Sequence, residues 1–213
     1  YRFTRPDDYT FTAGQWYTIT VPSDKGPLDH HFSHADSPTE SHVELTTRLT
    51  GSDFKNALDA LPLGSEVQIE GPFGRFVFDY QAPRIAFLTG GIGITPVISI
   101  LEYIVQRGLD TDVCLLYSNR TMDDVAFKPE LDAWSQAHAG IAVTYLAPDC
   151  PAERADCLNG LIDHDAIVRR MSDYRDRTIY VFGPPVMVKA MAELCRNEGA
   201  SPEQIRTENF VGY

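Results

Sequence analysis

The chain has 213 residues, of which 43% are hydrophobic and 23% charged; this composition is typical of one or two folded domains and excludes a disordered, collagen-like or coiled-coil chain. Eighteen basic residues against 30 acidic ones give a formal net charge of −12 at pH 7, and because nucleic-acid binding needs a basic surface, a DNA or RNA partner is excluded. The longest uncharged run, residues 85–101, contains three glycines and a proline, so membrane insertion is not predicted.

Short runs in which polar and apolar residues alternate occupy the first 80 residues. A period of two between Gly, Pro and Asp residues predicts an antiparallel sheet, closed into a barrel. The predicted strands are residues 17–21, 43–47, 66–70 and 75–78, and one helix, residues 53–61, interrupts them. Residues 1–4 have the pattern of the middle or end of a strand, which is consistent with a first barrel strand upstream of Tyr1.

After Pro83, apolar strand-like runs alternate with helical stretches, which predicts a parallel sheet wrapped by helices. The predicted strands are residues 84–89, 112–117, 141–146, 178–182 and 205–210, and the predicted helices are residues 96–107, 127–138, 162–171 and 186–198. The sequence therefore predicts two domains, residues 1–81 and 82–213.

The four cysteines show no spacing typical of a zinc or iron–sulfur site. Cys114 lies in an apolar run and Cys195 in a predicted helix, which favours buried free thiols in a reducing, cytoplasmic compartment. Cys150 and Cys157 are near enough in sequence to pair, but we do not expect a disulfide. Residues 1–8 carry charges without an apolar core, unlike a signal peptide.

Two loops that contain glycine and proline follow predicted parallel strands. Residues 89–96 (TGGIGITP) join a strand to a helix, an arrangement whose backbone N–H groups and helix dipole favour a pyrophosphate. Residues 182–188 (FGPPVMV) follow the fourth strand. Because the carboxyl ends of parallel strands line a ligand crevice, we expect both loops to open on one edge. The alternative for each loop is a tight strand-to-helix connection without a ligand.

Three histidines occur within five residues, at His30, His31 and His34. On an extended chain His30 and His34 share a face while His31 points away, and no carboxylate or thiolate completes an evident set of ligands. We therefore predict no metal site here; the alternative is a polar strand that leads into a Ser-Pro turn.

The last predicted strand is followed by aromatic residues at Phe210 and Tyr213, which flank Gly212. Chain ends are usually polar and disordered. The aromatic side chains therefore predict docking on a flat or apolar surface, either that of a ligand or that of the protein's own core.

These four segments, in this order and spacing, resemble the ferredoxin–NADP reductase superfamily, in which a flavin-binding antiparallel barrel precedes an α/β domain that binds the nicotinamide nucleotide. Residues 51–58 (GSDFKNAL) and 70–74 (EGPFG) are similar to the phosphate-binding helix start and the following loop of compact microbial FAD-dependent oxidoreductases without an iron–sulfur domain. The resemblance covers nearly the whole chain. It implies FAD and either NADH or NADPH as cofactors.

In the N-terminal domain the resemblance implies a flavin site. The Arg of the family's R-x-Y/F-S/T motif pairs with the diphosphate, the aromatic residue packs on the isoalloxazine, and the hydroxyl bonds the reactive nitrogen. Phe32 and Ser33 match this motif, but His30 stands at the Arg position. Because imidazole is charged only when protonated, we expect FAD affinity to weaken from about pH 6 to about pH 8. The resemblance also assigns to the FAD site His31, Thr46, Arg48, Lys55 and the backbone at Phe54 and Asn56.

In the C-terminal domain the resemblance implies a nicotinamide-nucleotide site. The floor of the cleft would be formed by Gly90, Gly91, Gly93 and Thr95, the ribose end by Ser118, Asn119 and Arg120, and the nicotinamide-side loop by Gly183, Pro184, Pro185 and Met187. Arg120 either accepts a 2′-phosphate or pairs with Asp123 or Asp124, so both NADH and NADPH stay open. Many relatives have Cys immediately before the loop glycine, where this chain has Phe182.

The implied reaction begins when the nicotinamide displaces Tyr213, which stacks on the flavin in relatives, and hydride passes to the FAD nitrogen held by Ser33. Glu208 matches an acidic residue assigned to proton delivery. The resemblance thus implies an FAD-dependent NAD(P)H oxidoreductase whose electrons pass to a ferredoxin-type protein, an oxygenase subunit, free flavin or a quinone. The alternatives are a non-catalytic flavoprotein and a regulatory or electron-transfer subunit of a larger complex.

Overall fold

Two small antiparallel sheets form the N-terminal part of the protein. The computed structural model describes residues 1–151 and 154–210. The strands are β1 (Arg2–Thr4), β2 (Trp16–Val21), β3 (Leu28–Ser33), β4 (His42–Glu44) and β5 (Gln68–Phe73), with helix α1 at Asp53–Asp59. Strand β2 lies between β3 and β5, and β1 pairs with β4. The antiparallel pairing predicted from the period-two runs is confirmed.

Alternation along β2 buries one face of the three-stranded sheet. Tyr17 and Ile19 are fully buried, while the intervening Thr18 is partly exposed. In the register of β2 with β3, Tyr17 lies opposite Phe32 and Ile19 opposite His30. Residues directly opposite each other in an antiparallel pair project to the same face. His30 and Phe32 therefore belong to the inner face of this sheet.

A six-stranded parallel sheet with helices forms the C-terminal part. Its strands are β6 (Arg84–Gly90), β7 (Asp112–Ser118), β8 (Ile141–Ala147), β9 (Cys157–Asn159), β10 (Thr178–Gly183) and β11 (Ile205–Asn209), in the order β11-β10-β6-β7-β8-β9. The helices are α2 (Thr95–Arg107), α3 (Lys128–Ala137), α4 (His164–Arg170) and α5 (Pro185–Asn197). The predicted α/β architecture is confirmed.

The central strand β6 explains why this sheet is parallel and covered on both faces. Ile85, Ala86, Phe87 and Leu88 are all fully buried. Ile85 and Phe87 belong to one apolar cluster, and Ala86 and Leu88 belong to another. A continuous apolar run is typical of a strand with helices on both sides.

The helices are short, and their ends follow the sequence signals. Within residues 1–151 and 154–210, the longest are α2 and α5, with 13 residues each, and no helix is long and apolar enough to cross a membrane. Helix α2 ends at Gly108, whose φ of +58° is the left-handed conformation that glycine adopts without a steric penalty.

Three local predictions in the sequence were wrong. Residues 75–78 do not form a strand, because Phe76 instead packs on the C-terminal sheet, with its ring 5.3 Å from that of Tyr180 and 4.5 Å from that of Phe182. The strand predicted at residues 43–47 ends at Glu44. Residues 157–159, where no strand was predicted, form the edge strand β9.

Cys150 and Cys157 form a disulfide, contrary to our expectation. Because β9 pairs in parallel with β8, the chain returns to the end of β8 and brings the two Cα atoms to 6.0 Å, which is within disulfide range. Cys114 and Cys195 are buried free thiols, as predicted. Burial raises the pKa of each thiol to about 11.

Candidate functional site

A cavity of about 610 Å³ lies between the N-terminal sheets and the carboxyl edge of the parallel sheet. Its lining residues are Arg48, Thr50, Lys55, Gly90, Gly91, Ile92, Gly93, Ser118, Asn119, Arg120, Asp124, Pro148, Leu161, Pro184, Met187 and Phe210. The loops that follow β6, β7, β8 and β10 all contribute to it. This edge of an α/β sheet is where ligands characteristically bind.

The glycine turn after β6 forms one wall of this cavity. Gly91 has a φ of +55°, and the Tyr117 hydroxyl donates a hydrogen bond to its carbonyl oxygen at 2.8 Å. A Cβ on Gly93 would lie 3.0 Å from the Thr89 Oγ1 atom and 3.2 Å from the Gly183 Cα atom. The turns after β6 and β10 are therefore packed so closely that Gly93 has no room for a side chain.

The residue that ends this turn has a supporting contact. Thr95 is buried, and its hydroxyl donates to the carbonyl oxygen of Ile92 at 3.3 Å. Thr95 is not among the residues that line the cavity. Its hydroxyl thus stabilises the turn from which α2 begins.

The loop after β10 packs against the glycine turn through Met187. The Sδ atom of Met187 lies 2.8 Å from the position that a Cβ on Gly90 would take. Pro184 and Met187 line the cavity, whereas Gly183 and Pro185 shape the loop without lining it. Helix α5 begins at Pro185, where a missing backbone N–H costs no helical hydrogen bond.

Phe182, which departs from the family pattern, is fully buried in the core. Its ring packs on Phe76 at 4.5 Å and on Phe87 at 6.4 Å. The ring of Phe210 lies 6.3 Å from it, and Phe210 also lines the cavity. Phe182 therefore belongs to the core and does not line the cavity.

Asn119 presents an unsatisfied amide at the cavity wall. It is 5% exposed, and its backbone N–H donates to the Leu146 carbonyl oxygen at 2.8 Å. Its side chain lies near the Tyr117 hydroxyl, but neither Oδ1 nor Nδ2 makes a hydrogen bond of good geometry within the described residues. A buried amide without a partner costs about 1–3 kcal/mol. A ligand hydroxyl in the cavity would supply the missing partner.

An ion pair joins the two sides of the cavity. The Arg48 Nη2 atom lies 3.1 Å from Asp124 Oδ1, and the Thr121 hydroxyl donates to Asp124 Oδ2 at 3.1 Å. The sequence left Asp124 open as a partner of Arg120; its partner is Arg48. Arg120 is exposed and lines the cavity with the half-buried Ser118. An arginine thus lies on each side of the cavity, where it can face an anionic ligand, and Asp124 offsets part of the charge of Arg48.

Strand β3, which carries the residues predicted to contact the flavin, contributes no residue to the lining of the cavity. His30 is half-buried, with its ring centroid 5.0 Å from that of Phe32 and 5.3 Å from that of Phe54. Burial, and then the positive charges of Lys55 and His31, lower the pKa of His30. Because Lys55 also lines the cavity, it connects the histidine strand to the cavity.

Helix capping and the first helical turn use backbone N–H groups at the start of α1. The Lys55 N–H donates to the Ser52 hydroxyl at 3.3 Å, and the Asn56 N–H donates to the Ser52 carbonyl oxygen at 2.9 Å. The Asn56 side chain donates to the Gly51 carbonyl oxygen at 3.0 Å. The Asn56 N–H thus makes the first backbone hydrogen bond of the helix, and the assignment of its backbone to a phosphate stays a prediction. Lys55 is buried, and burial lowers its pKa.

The other histidines face elsewhere. His31 is exposed, and its Nδ1 atom lies 2.9 Å from the Thr18 hydroxyl. His34 is fully buried, with Nδ1 at 3.1 Å from Asp36 Oδ1 and Nε2 at 3.1 Å from the Tyr9 hydroxyl. Across the part of the chain that the structure describes, no group of three His, Cys, Asp or Glu side chains has an arrangement that could hold a metal ion.

Glu208, on the edge strand β11 of the parallel sheet, has a half-buried carboxyl that lies close to the end of the three-stranded sheet. Its Oε2 atom has no hydrogen-bond partner within the described ranges, and burial raises its pKa to about 7. Its Oε1 atom lies 3.9 Å from the position that a Cβ on Gly74 would take, and the Trp16 ring lies against the same position. Thr46 is half-buried beyond β4 and does not line the cavity. Tyr213 lies outside the described residues.

Sequence reasoning missed Thr50, Pro148 and Leu161 as cavity residues. Pro148 follows β8, and Leu161 follows β9. The rule that predicted the two glycine loops, that ligands bind at the carboxyl ends of parallel strands, applies equally to β8. The position of Pro148 after a predicted strand was therefore a usable signal.

A family profile described as the oxidoreductase NAD-binding domain matches residues 87–193, half of the chain. The chain belongs to this family. The matched residues include the glycine turn, Asn119 and the loop after β10. The family assignment therefore rests on the segments that form the C-terminal side of the cavity.

This oxidoreductase NAD-binding chain is also similar to parts of longer curated reductases. It is 32% identical over 174 residues to nitrate reductase [NADH] from Ulva prolifera, covering 71% of this chain and 20% of that protein. It is 26% identical to the glycine betaine monooxygenase reductase subunit of Chromohalobacter salexigens, over 97% of this chain and 58% of the relative. The chain spans less than two thirds of these curated relatives.

The fold is that of ferredoxin–NADP reductases. A structure of ferredoxin NADP+ reductase from Neisseria gonorrhoeae with bound FAD and NADP aligns with a TM-score of 0.75 and 19% identity, over 98% of this chain and 90% of that one. The resemblance inferred from the four sequence segments is thus confirmed.

Proposed function

We propose that this chain is an FAD-dependent oxidoreductase that accepts hydride from NADH or NADPH and passes the electrons to an acceptor. The observation that carries this proposal is one cavity whose walls combine the glycine turn, the unsatisfied Asn119 amide and cationic side chains. Glycines allow a diphosphate to approach the backbone closely, and cations neutralise its charge. The volume of about 610 Å³ is in the range of small-molecule and cofactor sites.

The nicotinamide nucleotide would lie along the carboxyl edge of the parallel sheet. The backbone of the turn from Gly90 to Gly93 would contact its diphosphate, and the Asn119 amide would bond ribose hydroxyls. Pro184 and Met187 would flank the nicotinamide ring. Each of these groups lines the cavity, so the same ligand can contact them all.

The flavin side of the proposal rests on β3 and α1. FAD, when bound, supplies the hydride acceptor and the store from which electrons leave. Phe32 and Ser33 would contact the isoalloxazine, while His30 and Lys55 would face the diphosphate. Burial is the main reason that the pKa of His30 is lowered, and the positive charges of Lys55 and His31 lower it further. The N. gonorrhoeae reductase, whose structure contains FAD and NADP, has this fold, which supports two cofactors.

Glu208 would hold a proton at its Oε2 atom near neutral pH. This atom has no partner within the described part of the chain, and the carboxyl has a pKa of about 7. A carboxyl that titrates near the working pH is suited to proton transfer. Ser33 would orient the flavin, and Tyr213 would cover it until the nicotinamide enters.

The electron acceptor is proposed from charge and from the relatives. The chain resembles the reductase subunit of a monooxygenase and a nitrate reductase, which favours a separate oxygenase or other redox partner. The net charge of −12 is divided equally between residues 1–80 and 81–213. A small acidic ferredoxin is therefore disfavoured, while free flavin or a quinone would encounter no such repulsion. Because NADH and NADPH are intracellular metabolites, we propose a cytoplasmic location.

The test is an anaerobic titration of the FAD-loaded protein with NADH and then with NADPH, followed through the visible flavin absorbance. We expect the flavin band to bleach, and the more effective donor identifies the preferred nucleotide. An Asn119→Ala variant should need a higher nucleotide concentration for the same bleaching. A loaded protein that stays yellow would contradict the proposed reaction and favour a non-catalytic flavoprotein.

A further inference from the structure

Helix α2 connects the glycine turn to the N-terminal sheets. It begins at Thr95, directly after the turn. One of its faces carries Ser99, Glu102 and Gln106, because residues three, four and seven apart share a helix face. This face contacts residues 36–40, the segment that follows β3 and Ser33.

Two hydrogen bonds, one buried and one partly buried, join this face of α2 to the segment after β3. The Ser99 hydroxyl donates to the Asp36 carbonyl oxygen at 2.6 Å. The Ser37 N–H donates to Glu102 Oε2 at 2.7 Å. Ser99, Asp36 and Ser37 are at most 1% exposed, so water does not compete for the bond between Ser99 and Asp36, whereas Glu102 is half-buried. We call Ser99 and Glu102, with Asp36 and Ser37, the α2 latch.

The rim of the same interface is closed by more exposed groups. Gln106 donates through Nε2 to Glu40 Oε1 at 2.6 Å. The rings of Tyr80 and Tyr103 pack edge to face with centroids 5.4 Å apart. These contacts lie on the same helix and limit rotation of α2 on the N-terminal sheets.

Asp36 is in turn fixed to the N-terminal sheets. Its Oδ1 atom accepts a hydrogen bond from the Glu44 N–H at 2.8 Å and lies 3.1 Å from His34 Nδ1. The His34 N–H donates to the Gln15 carbonyl oxygen at 3.1 Å. Because His34 directly follows Ser33, the latch is coupled to the end of β3 through a short, buried segment in which Asp36 Oδ1 and the His34 ring are bonded.

We propose that Ser99 and Glu102 are positioning residues that fix the glycine turn relative to Ser33 and so set the distance over which hydride is transferred. This inference rests on the proposed function. The turn, where the nicotinamide nucleotide would bind, lies at the start of α2, and the flavin strand lies at the other end of the latch. A displacement of about 1 Å between reacting groups costs about 100-fold in rate. The latch should therefore affect the transfer step far more than the binding of either cofactor.

The carboxylate of Glu102 is in an unfavourable environment, and this permits a matched control. Burial raises its pKa, opposed by the Ser37 hydrogen bond, and the negative charges of Glu40, Asp36 and Glu44 raise it further. A Glu102→Gln substitution removes the charge and keeps an oxygen that accepts from the Ser37 N–H. If the latch acts through geometry, Gln will preserve it and Ala will not.

The first experiment measures anaerobic flavin reduction by stopped flow over a range of nucleotide concentrations, in the wild type and in a Ser99→Ala/Glu102→Ala double variant. We expect the limiting reduction rate of the double variant to fall about 10- to 100-fold, while the nucleotide Kd changes less than about 3-fold. Glu102→Gln should reduce flavin at the wild-type rate. Equal limiting rates in the wild type and the double variant would overturn the inference.

The second experiment needs no cofactor and separates failure of the latch from failure of the proposed function. The two tryptophans report on different parts, Trp16 in β2 and Trp134 in α3. In single-tryptophan backgrounds (Trp16→Phe or Trp134→Phe), urea unfolding should give coincident transitions for the otherwise wild-type chain and separate ones for the double variant.

An exposed change on the same helix, Arg107→Gln, is the control and should alter neither readout. Coincident transitions with and without the latch, or separate transitions already in its presence, would overturn the latch. A wild-type chain that unfolds as expected but whose bound flavin is not reduced would refute the proposed function, and with it the role in transfer.

Discussion

The stability of this protein should fall as the pH rises because of a single carboxyl, Glu208. Burial raises its pKa to about 7 in the folded chain, whereas the unfolded chain has an ordinary Glu with a pKa near about 4.3. Between these values the folded state holds more protons than the unfolded state, so increasing pH favours unfolding. The stabilising difference is complete below about pH 4 and is lost as the pH passes through about 7. From about pH 5 to about pH 8 this group alone should cost about 2 to 3 kcal/mol.

A Glu208→Gln substitution tests this reasoning directly. Gln has no charge to bury, so the variant should be more stable than the wild type by about 3.5 kcal/mol at pH 8 but by only about 1 kcal/mol at pH 5. Urea unfolding curves at both pH values measure the difference. Glu193→Gln, the same chemical change at an exposed site on α5, should show no such gain. Parallel pH dependence in the wild type and Glu208→Gln would refute the assignment of this carboxyl as buried and unpartnered.

Three further results are expected. FAD affinity, followed by quenching of FAD fluorescence, should fall as the pH rises from the lowered pKa of His30 in the free protein to the higher pKa that a bound phosphate would give it. The fall should be up to about 10-fold for each unit by which these two pKa values differ. His30→Arg should abolish this dependence, and a flat wild-type profile would remove His30 from the site. Asn119→Leu should raise the free energy of unfolding by about 1–3 kcal/mol, since it removes an unsatisfied buried amide. The same variant should bind the nucleotide about 10-fold more weakly in a titration, and unchanged affinity would mean that the amide does not face the ligand. Gly93→Ala should lower the free energy of unfolding by about 1–3 kcal/mol, because its Cβ would crowd two backbone segments. A Cβ on Gly91 would meet no atom within 4 Å, so Gly91→Ala should lower the free energy of unfolding by only about 1 kcal/mol, the penalty of a left-handed alanine. Equal losses in thermal unfolding would contradict the packing argument.

The C-terminal fold was largely predictable from the sequence because its signals are local. The apolar run of β6 is continuous, helices α2, α3 and α5 each have Pro in their first two positions, and Gly108 follows α2. The N-terminal part was less predictable. Residues 75–78 alternate as a strand does, yet the ring of Phe76 packs on the C-terminal sheet. Here a contact between distant parts of the chain outweighed local propensity.

The sequence by itself determined the class of most elements of the C-terminal part and the edge of the sheet at which the glycine loops open, because periodicity records which face of a strand or helix is buried. Tertiary structure alone decided which residues meet there. The Arg48–Asp124 ion pair, the Cys150–Cys157 disulfide and the bond from Ser37 to Glu102 join residues from separate elements. Such contacts depend on how the elements pack together. The distance between residues of two different elements is not encoded in the spacing of residues along either one.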